Sequence, residues 1–254
     1  MTPKIEAVTF CVNYARELNT VAPNNLPFFE KWVIATEARD EETRYVCRQH
    51  GLQCLISEDH HWNGDGLNKG RMVDRALQHM SAGLWRLHID ADICLPAKFR
   101  RVIDQAHLYE CNIYGADRVM VRSQEQWQKL LASGWLHGRT QGPNSVEVPN
   151  GFGIGPRWSS HESGYVPIGF FQLWHGSQDE WHGVRTKPYP HSHGSACRSD
   201  VQHALQWDRR NRVMIPELYV VHLESEATQN GANWDGRTTK PFGPSPRISK
   251  GRCS

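Results

Sequence analysis

No apolar run in the 254 residues approaches the roughly 20 that a membrane helix needs, and no charged-then-apolar leader follows Met1. A soluble, cytoplasmic protein with no transmembrane segment is the expectation. Cys-x-x-Cys is also missing. The seven cysteines, Cys11, Cys47, Cys54, Cys94, Cys111, Cys197 and Cys253, are odd in number and irregularly spaced, which argues against a disulfide framework and against a cysteine zinc site. There is little excess of charge: 29 basic against 27 acidic residues leave +2, too little to call for nucleic acid by itself. The balance is uneven, however, since Gly236–Ser254 carries Arg237, Lys240, Arg247, Lys250 and Arg252 and no acid. Internal repeats and low-complexity tracts are absent.

What is present is an alternation of strand-like and helix-like segments. Ile5–Tyr14 is mostly apolar, β-branched or aromatic and ends in polar residues, as a buried strand opening into a loop does. Trp32–Thr36 and Leu52–Ile56 repeat the pattern. Between them Asp40–His50 is acidic at its start, basic at its end and followed by Gly51, the order that helix dipoles and caps favour. From Asn68 to Ser81, Met72, Val73, Ala76, Leu77 and Met80 recur at helical spacing, and Leu84–Ile89 returns as a strand. Such alternation predicts an α/β, Rossmann-like fold: a central, mostly parallel sheet with helices on both faces. One domain spanning 1–254 is expected, with a first half over 1–121. In the second half, 122–254, the stretch Ser133–Tyr165 is irregular, and order resumes with a strand over Val166–Trp174, a helix from Ser199 to Trp207 and a strand over Val213–Val221.

The most informative string is His88-Ile-Asp90-Ala-Asp92, which follows directly on an apolar strand. In open α/β sheets ligands bind beyond the carboxyl ends of strands, and alternation across Ala91 aims both carboxylates to one side. Their repulsion is relieved by a divalent cation, Mn2+ or Mg2+, with coordination positions left over for a diphosphate.

Hydrophobic strand, Asp-Ala-Asp and then Ile93-Cys-Leu-Pro96 resembles the Asp-x-Asp signature of A-type, nucleotide-sugar-using glycosyltransferases of bacterial or phage origin. The resemblance implies a transfer from a UDP-sugar, Asp90 reaching ribose or metal and Asp92 ligating the metal. It extends to Asn13-Tyr14 after the first strand, to Thr36-Glu37 after the second and to the helix start Asn68-Lys69-Gly70-Arg71. Asn13, Tyr14, Thr36, Lys69 and Arg71 are thereby donor-binding candidates. His222, in Leu218-Tyr-Val-Val-His222-Leu-Glu224 where a second apolar strand ends, is the implied third metal ligand. In the segment Gln229–Phe242, which has the small residues of a mobile loop, Arg237 and Lys240 are cations suited to a departing diphosphate, and Trp234 to stacking.

An inverting transfer needs a carboxylate base, and Asp200, at the expected helix start, is the candidate; the bland alternative is a helix N-cap. Gly169-Phe170-Phe171-Gln172, with Trp174 and Trp181, is the candidate acceptor platform, since sugar faces pack on aromatic rings. A bacterial surface glycan is the default acceptor. Hydroxymethylated DNA is the alternative, because Arg185, Lys187, Arg198, Arg209, Arg210 and Arg212 cluster with aromatics. The segment Phe10-Cys-Val-Asn-Tyr-Ala-Arg16 lacks the glycines of a nucleotidyltransferase phosphate loop, and an acidic pair as late as residue 90 does not suit a haloacid-dehalogenase-type phosphatase. A non-enzymatic glycan or nucleic-acid binding module is the remaining class.

Overall fold

The structure is a computed structural model that describes residues 3–59, 68–138, 148–181, 184–191 and 196–223. The first half runs β1 (Ile5–Phe10), α1 (Ala15–Asn25), β2 (Lys31–Thr36), α2 (Glu41–His50), β3 (Gln53–Ile56), α3 (Lys69–Leu77), β4 (Trp85–Ile89), β5 (Ile93–Cys94), α4 (Phe99–Gln105) and β6 (Ile113–Val121). Then come α5 (Gln124–Ser133), β7 (Gly153–Ile154), β8 (Ser159–Ser160), β9 (Gly164–Tyr165), β10 (Phe171–His175), β11 (Glu180–Trp181), β12 (Val184–Arg185), α6 (Ala196–Ala204) and β13 (Arg212–Leu223).

The main sheet has the order β3-β2-β1-β4-β10-β6-β13-β5, with β7 pairing off this path on β6. The first four strands in that order are parallel to one another, the Rossmann-like half expected from the sequence. The late strand β10 inserts antiparallel between β4 and β6, and β13 runs parallel to β6. Strand alternation sorts the core onto two faces. Ile5 and Ala7 of β1 and Trp32 and Ile34 of β2 face the layer containing Leu18 of α1 and Cys47 of α2. Val8, Val33 and Ala35 instead join Met72, Val73, Ala76 and Leu77 of α3 and Ala204 of α6.

Local signals explain most element boundaries. Asp40 caps α2, accepting from the Thr43 amide, and Gly51 closes the helix in the left-handed region at φ 66°. Helix α3 starts at the Asn68 cap but ends at Leu77 rather than Ser81, because the amides of Gln78, His79 and Met80 bond three residues back and tighten the chain. The strand expected over Val166–Trp174 is shorter at its start: Pro167 brings no N–H, Phe171 N bonds Ile168 O in a turn, and pairing begins only at Phe171. In β13 the register shifts between Met214 and Tyr219, around Pro216 and a left-handed Glu217 at φ 62°.

Candidate active site

Asp90-Ala91-Asp92 leaves the carboxyl end of β4 as a turn, with Ile93 N bonding Asp90 O. The extended chain expected from sequence is therefore corrected to a turn, and the two carboxylates meet different partners. Asp90 Oδ1 meets Lys69 Nζ at 2.6 Å, while Asp92 Oδ2 lies 3.4 Å from His222 Nε2. His222 arrives because β5 pairs antiparallel with β13, in the register Ile93↔His222, and Leu223 N donates to Asp92 O. The trio Asp90, Asp92 and His222 does not assemble around one point, and among the described residues no three His, Cys, Asp or Glu side chains do. The pair Asp92–His222 does.

Behind Asp90 lies a buried polar cluster on the α3 and α6 side of the sheet. On β4 and β10, His88 and Gln172 project there, alternating with the apolar residues that face α1. Lys69, in the first turn of α3, bridges Asp90 and Asp200, with Nζ 3.3 Å from Asp200 Oδ2. Tyr189 donates its hydroxyl proton to Asp200 Oδ1 at 2.5 Å and sits 2.9 Å from His88 Nδ1. Since that single proton goes to Asp200, His88 Nδ1–H is the donor to the tyrosine oxygen. Gln172 Nε2 donates to the backbone oxygens of Pro167 and Asp200.

Burial sets the protonation states. It pushes the His88 imidazole well below its usual range, with help from Lys69, so His88 is neutral. Burial opposes the charge on Lys69, but Asp200 and Asp90 outweigh it and hold the ammonium above the ordinary lysine range. Asp90 is pushed up to about 6 by burial, which the ammonium offsets only in part. Asp200 is raised as well, chiefly by burial, against the pull of Lys69 and Tyr189.

Two roles expected from sequence meet resistance here. Asp200 sits in mid-helix rather than at the start of α6, so it is no N-cap. It is 6% exposed, donors engage both its oxygens, and a Cβ on Gly169 would fall 1.8 Å from Oδ2. Such a carboxylate is a poor fit to a base that must reach an acceptor hydroxyl. Gln172 and Trp174 have no exposed surface to offer a sugar. Gln172 braces Asp200 from behind, and Trp174 packs on His203 and Trp207.

The donor-binding candidates line the carboxyl ends of β1 and β2 and the start of α3. Asn13 is left-handed at φ 62°, its amide bonded to Asp40 Oδ2, and Tyr14 stands at the N-cap of α1. Thr36 is fully buried at the end of β2, and Glu37 pairs with the half-exposed Arg39. Arg71 diverges from Lys69 and shares Asp59 with Arg75. Arg237, Lys240 and Trp234, and the rest of the basic tail, lie outside the described residues.

Sequence reasoning passed over Arg118 and Tyr189. Arg118 Nη1 lies 3.3 Å from His222 Nδ1, and its guanidinium covers the Phe170 ring at 4.7 Å. Phe170 in turn stacks on His222. Beside them a cleft is lined by Arg118, Arg157, Trp158, Tyr165 and Phe170. The signal for Arg118 was available: Asp117-Arg118 is a charged pair inside the otherwise apolar Ile113–Val121. Tyr189 lies in Pro188-Tyr-Pro190, which has no periodicity to read.

No family model matches the chain, and no curated protein matches it. Among solved structures it is similar to mannosyl-3-phosphoglycerate synthase from Rubrobacter xylanophilus, at 20% identity and TM-score 0.37 over 48% of this chain and 42% of that one. It is also similar to glucosyl-3-phosphoglycerate synthase from M. tuberculosis, at 14% identity and TM-score 0.47 over 95% of this chain and 76% of that one. A complex of the latter with Mn2+, UDP-glucose and phosphoglyceric acid gives 12% identity and TM-score 0.48 over 87% and 71% of the two chains.

Proposed function

We propose that this chain is a divalent-metal-dependent glycosyltransferase that moves a sugar from a nucleoside-diphosphate sugar, a UDP-sugar by preference, to an acceptor hydroxyl. The observation that carries this reading is the meeting of Asp92 and His222 at the strand ends, beside the Lys69–Asp90 pair. Asp92 Oδ1 is buried without a hydrogen-bond partner among the described residues. The 3.4 Å between Asp92 Oδ2 and His222 Nε2 is long for a hydrogen bond, yet one ion about 2.1 Å from each atom fits that gap. The carboxylate suits Mn2+ or Mg2+ and the imidazole favours Mn2+ of the two, with phosphate oxygens and water to complete the shell. When bound, the ion neutralises charge on the departing diphosphate.

The chain's own groups prepare the rest. Lys69 is held charged between Asp90 and Asp200 and contributes a fixed positive charge at the strand ends. Asp90 keeps 31% of its side chain exposed, which suits it to accept from a ribose hydroxyl. Asn13, Tyr14 and Arg71 are assigned to the rim of the donor site with Thr36 buried beneath it, and Arg237 and Lys240 keep the role of cations for the leaving group. Asp200 is assigned to holding Lys69 and Tyr189 in place, in preference to the role of base. The cleft between Trp158, Tyr165 and Phe170 replaces Gln172 and Trp174 as the acceptor platform. The apolar face of a glycan sugar suits its aromatic walls. Modified DNA is less well supported, since Lys187 and Arg209 already donate to the Gln178 and His161 carbonyls and Arg210 has Asp208 beside it.

The test is to incubate the protein with Mn2+ and a panel of nucleotide sugars and glycan acceptors and to measure nucleoside diphosphate release. Asp92→Ala and His222→Ala are each expected to lower release by about 100-fold or more. Release that survives both substitutions and chelation of the metal would sink the proposal.

A further inference from the structure

Arg118, His222 and Phe170 form a compact unit at the candidate metal pair. The guanidinium lies 4.7 Å above the Phe170 ring, and the Phe170 ring lies nearly parallel to the imidazole, at 15° and 6.4 Å. Arg118 Nη1 approaches His222 Nδ1 at 3.3 Å. Gly155 closes the other side: a Cβ there would meet Arg118 Nε at 2.5 Å and Met120 Sδ at 2.7 Å. The guanidinium is thus fitted into place from the strand β7 side as well as by Phe170.

A guanidinium is permanently charged and can only donate. The nitrogen facing it must therefore offer a lone pair, which places the proton of the neutral imidazole on Nε2, toward Asp92 Oδ2 at 3.4 Å. Coordination of a cation through Nε2 requires the opposite tautomer, because a nitrogen that carries a proton has no lone pair for a metal. On ligation, Nε2 gives its proton to water and Nδ1 takes one from water. Nδ1–H then points at a donor, so Arg118 has to withdraw.

We infer that Arg118 is a positioning residue that fixes the tautomer of His222 and so opposes capture of a divalent ion by the Asp92–His222 pair. The consequence for metal binding rests on the metal-dependent reading above; the tautomer does not. Metal-free protein holds His222 with its Nε2 proton toward Asp92, and a cation gains the site only by moving Arg118.

Two measurements test this. Nitrogen-15 correlation spectra of metal-free protein, with His222 identified by comparison with His222→Gln, are expected to show Nε2 protonated and Nδ1 bare. In Arg118→Met the two tautomers mix. Mn2+ binding, followed by electron paramagnetic resonance without nucleotide, is expected to tighten about tenfold in Arg118→Met and to stay near the original value in Arg118→Lys, which keeps a donor. Gly155→Ala displaces the guanidinium without removing its charge and is expected to follow Arg118→Met. A protonated Nδ1 in the metal-free protein, or Arg118→Met binding Mn2+ no more tightly than the parent, overturns the inference. If none of the proteins binds Mn2+, the metal-dependent reading falls, and the spectra alone decide whether Arg118 sets the tautomer.

Discussion

Lys69 keeps its ammonium almost out of water, and the two carboxylates that hold it respond to pH in its place. Asp90 is pushed up from 3.8 to about 6 in the folded chain. The fold thus favours its protonated form. That contribution to stability is fully present below about pH 4 and is lost as pH rises through about 6. Asp90→Asn is expected to flatten the decline in denaturant midpoint between pH 4 and 6, by an amount on the order of 1 kcal/mol given the exposure of the side chain. An unchanged pH profile in the variant would mean that Asp90 ionises as readily folded as unfolded. At this scale the sequence revealed residues at element ends: Asp90, Asp92 and His222 are conspicuous because they close apolar runs, and Lys69 because it opens a helix. It did not reveal their pairing. Nothing local says that Asp90 turns to Lys69 while Asp92 turns to His222, or that Tyr189 arrives between His88 and Asp200, since each of those contacts joins distant parts of the chain.

Helix α3 shows what an element adds. Asn68 caps it by accepting from Arg71 N, and its apolar residues at 72, 73, 76 and 77 bury against β1 and β2. Gly70 lets it approach its neighbours: a Cβ there would lie 1.8 Å from Pro190 O and 2.9 Å from Ser199 Cβ. Backbone cannot give way as a side-chain tip does, so Gly70→Ala is expected to lower stability by about 1–3 kcal/mol in denaturant titrations and to loosen Tyr189 from Asp200. A variant as stable as the parent would show that the 188–190 segment yields freely. Helices α2 and α3 were legible because cap, dipole and period agree. Helix α1 escaped notice, with Pro23 inside its last turn and six buried residues that give a weaker stripe. Two-residue strands such as β5 and β7 have no local signature at all. They exist only as partners of β13 and β6.

At the scale of the whole molecule, the sheet is fastened at the end away from the site by Arg86 and Asp179, both without exposure, 2.8 Å apart. Arg86 also donates to the Met80 and Ser81 carbonyls. Arg86→Met is expected to cost about 3–5 kcal/mol, because it takes the guanidinium away from a fully buried carboxylate, and Arg86→Met with Asp179→Leu to recover much of that loss. A double variant no better than the single one would argue that the backbone contacts of Arg86 matter more than its charge. That β1 to β4 are parallel was legible as alternating strands and helices; their order and the insertion of β10 were not, because pairing partners far along the chain leave no periodic trace. That insertion governs the order of assembly during synthesis. When β4 leaves the ribosome, its free edge has no mate until Phe171–His175 follows, and β6 waits for Arg212–Leu223. A nascent chain halted near residue 121 therefore displays three strand edges whose partners are still to come, one on β4 and both on β6, which lacks β10 as well as β13, a state prone to aggregation and a natural client for a chaperone that holds extended backbone.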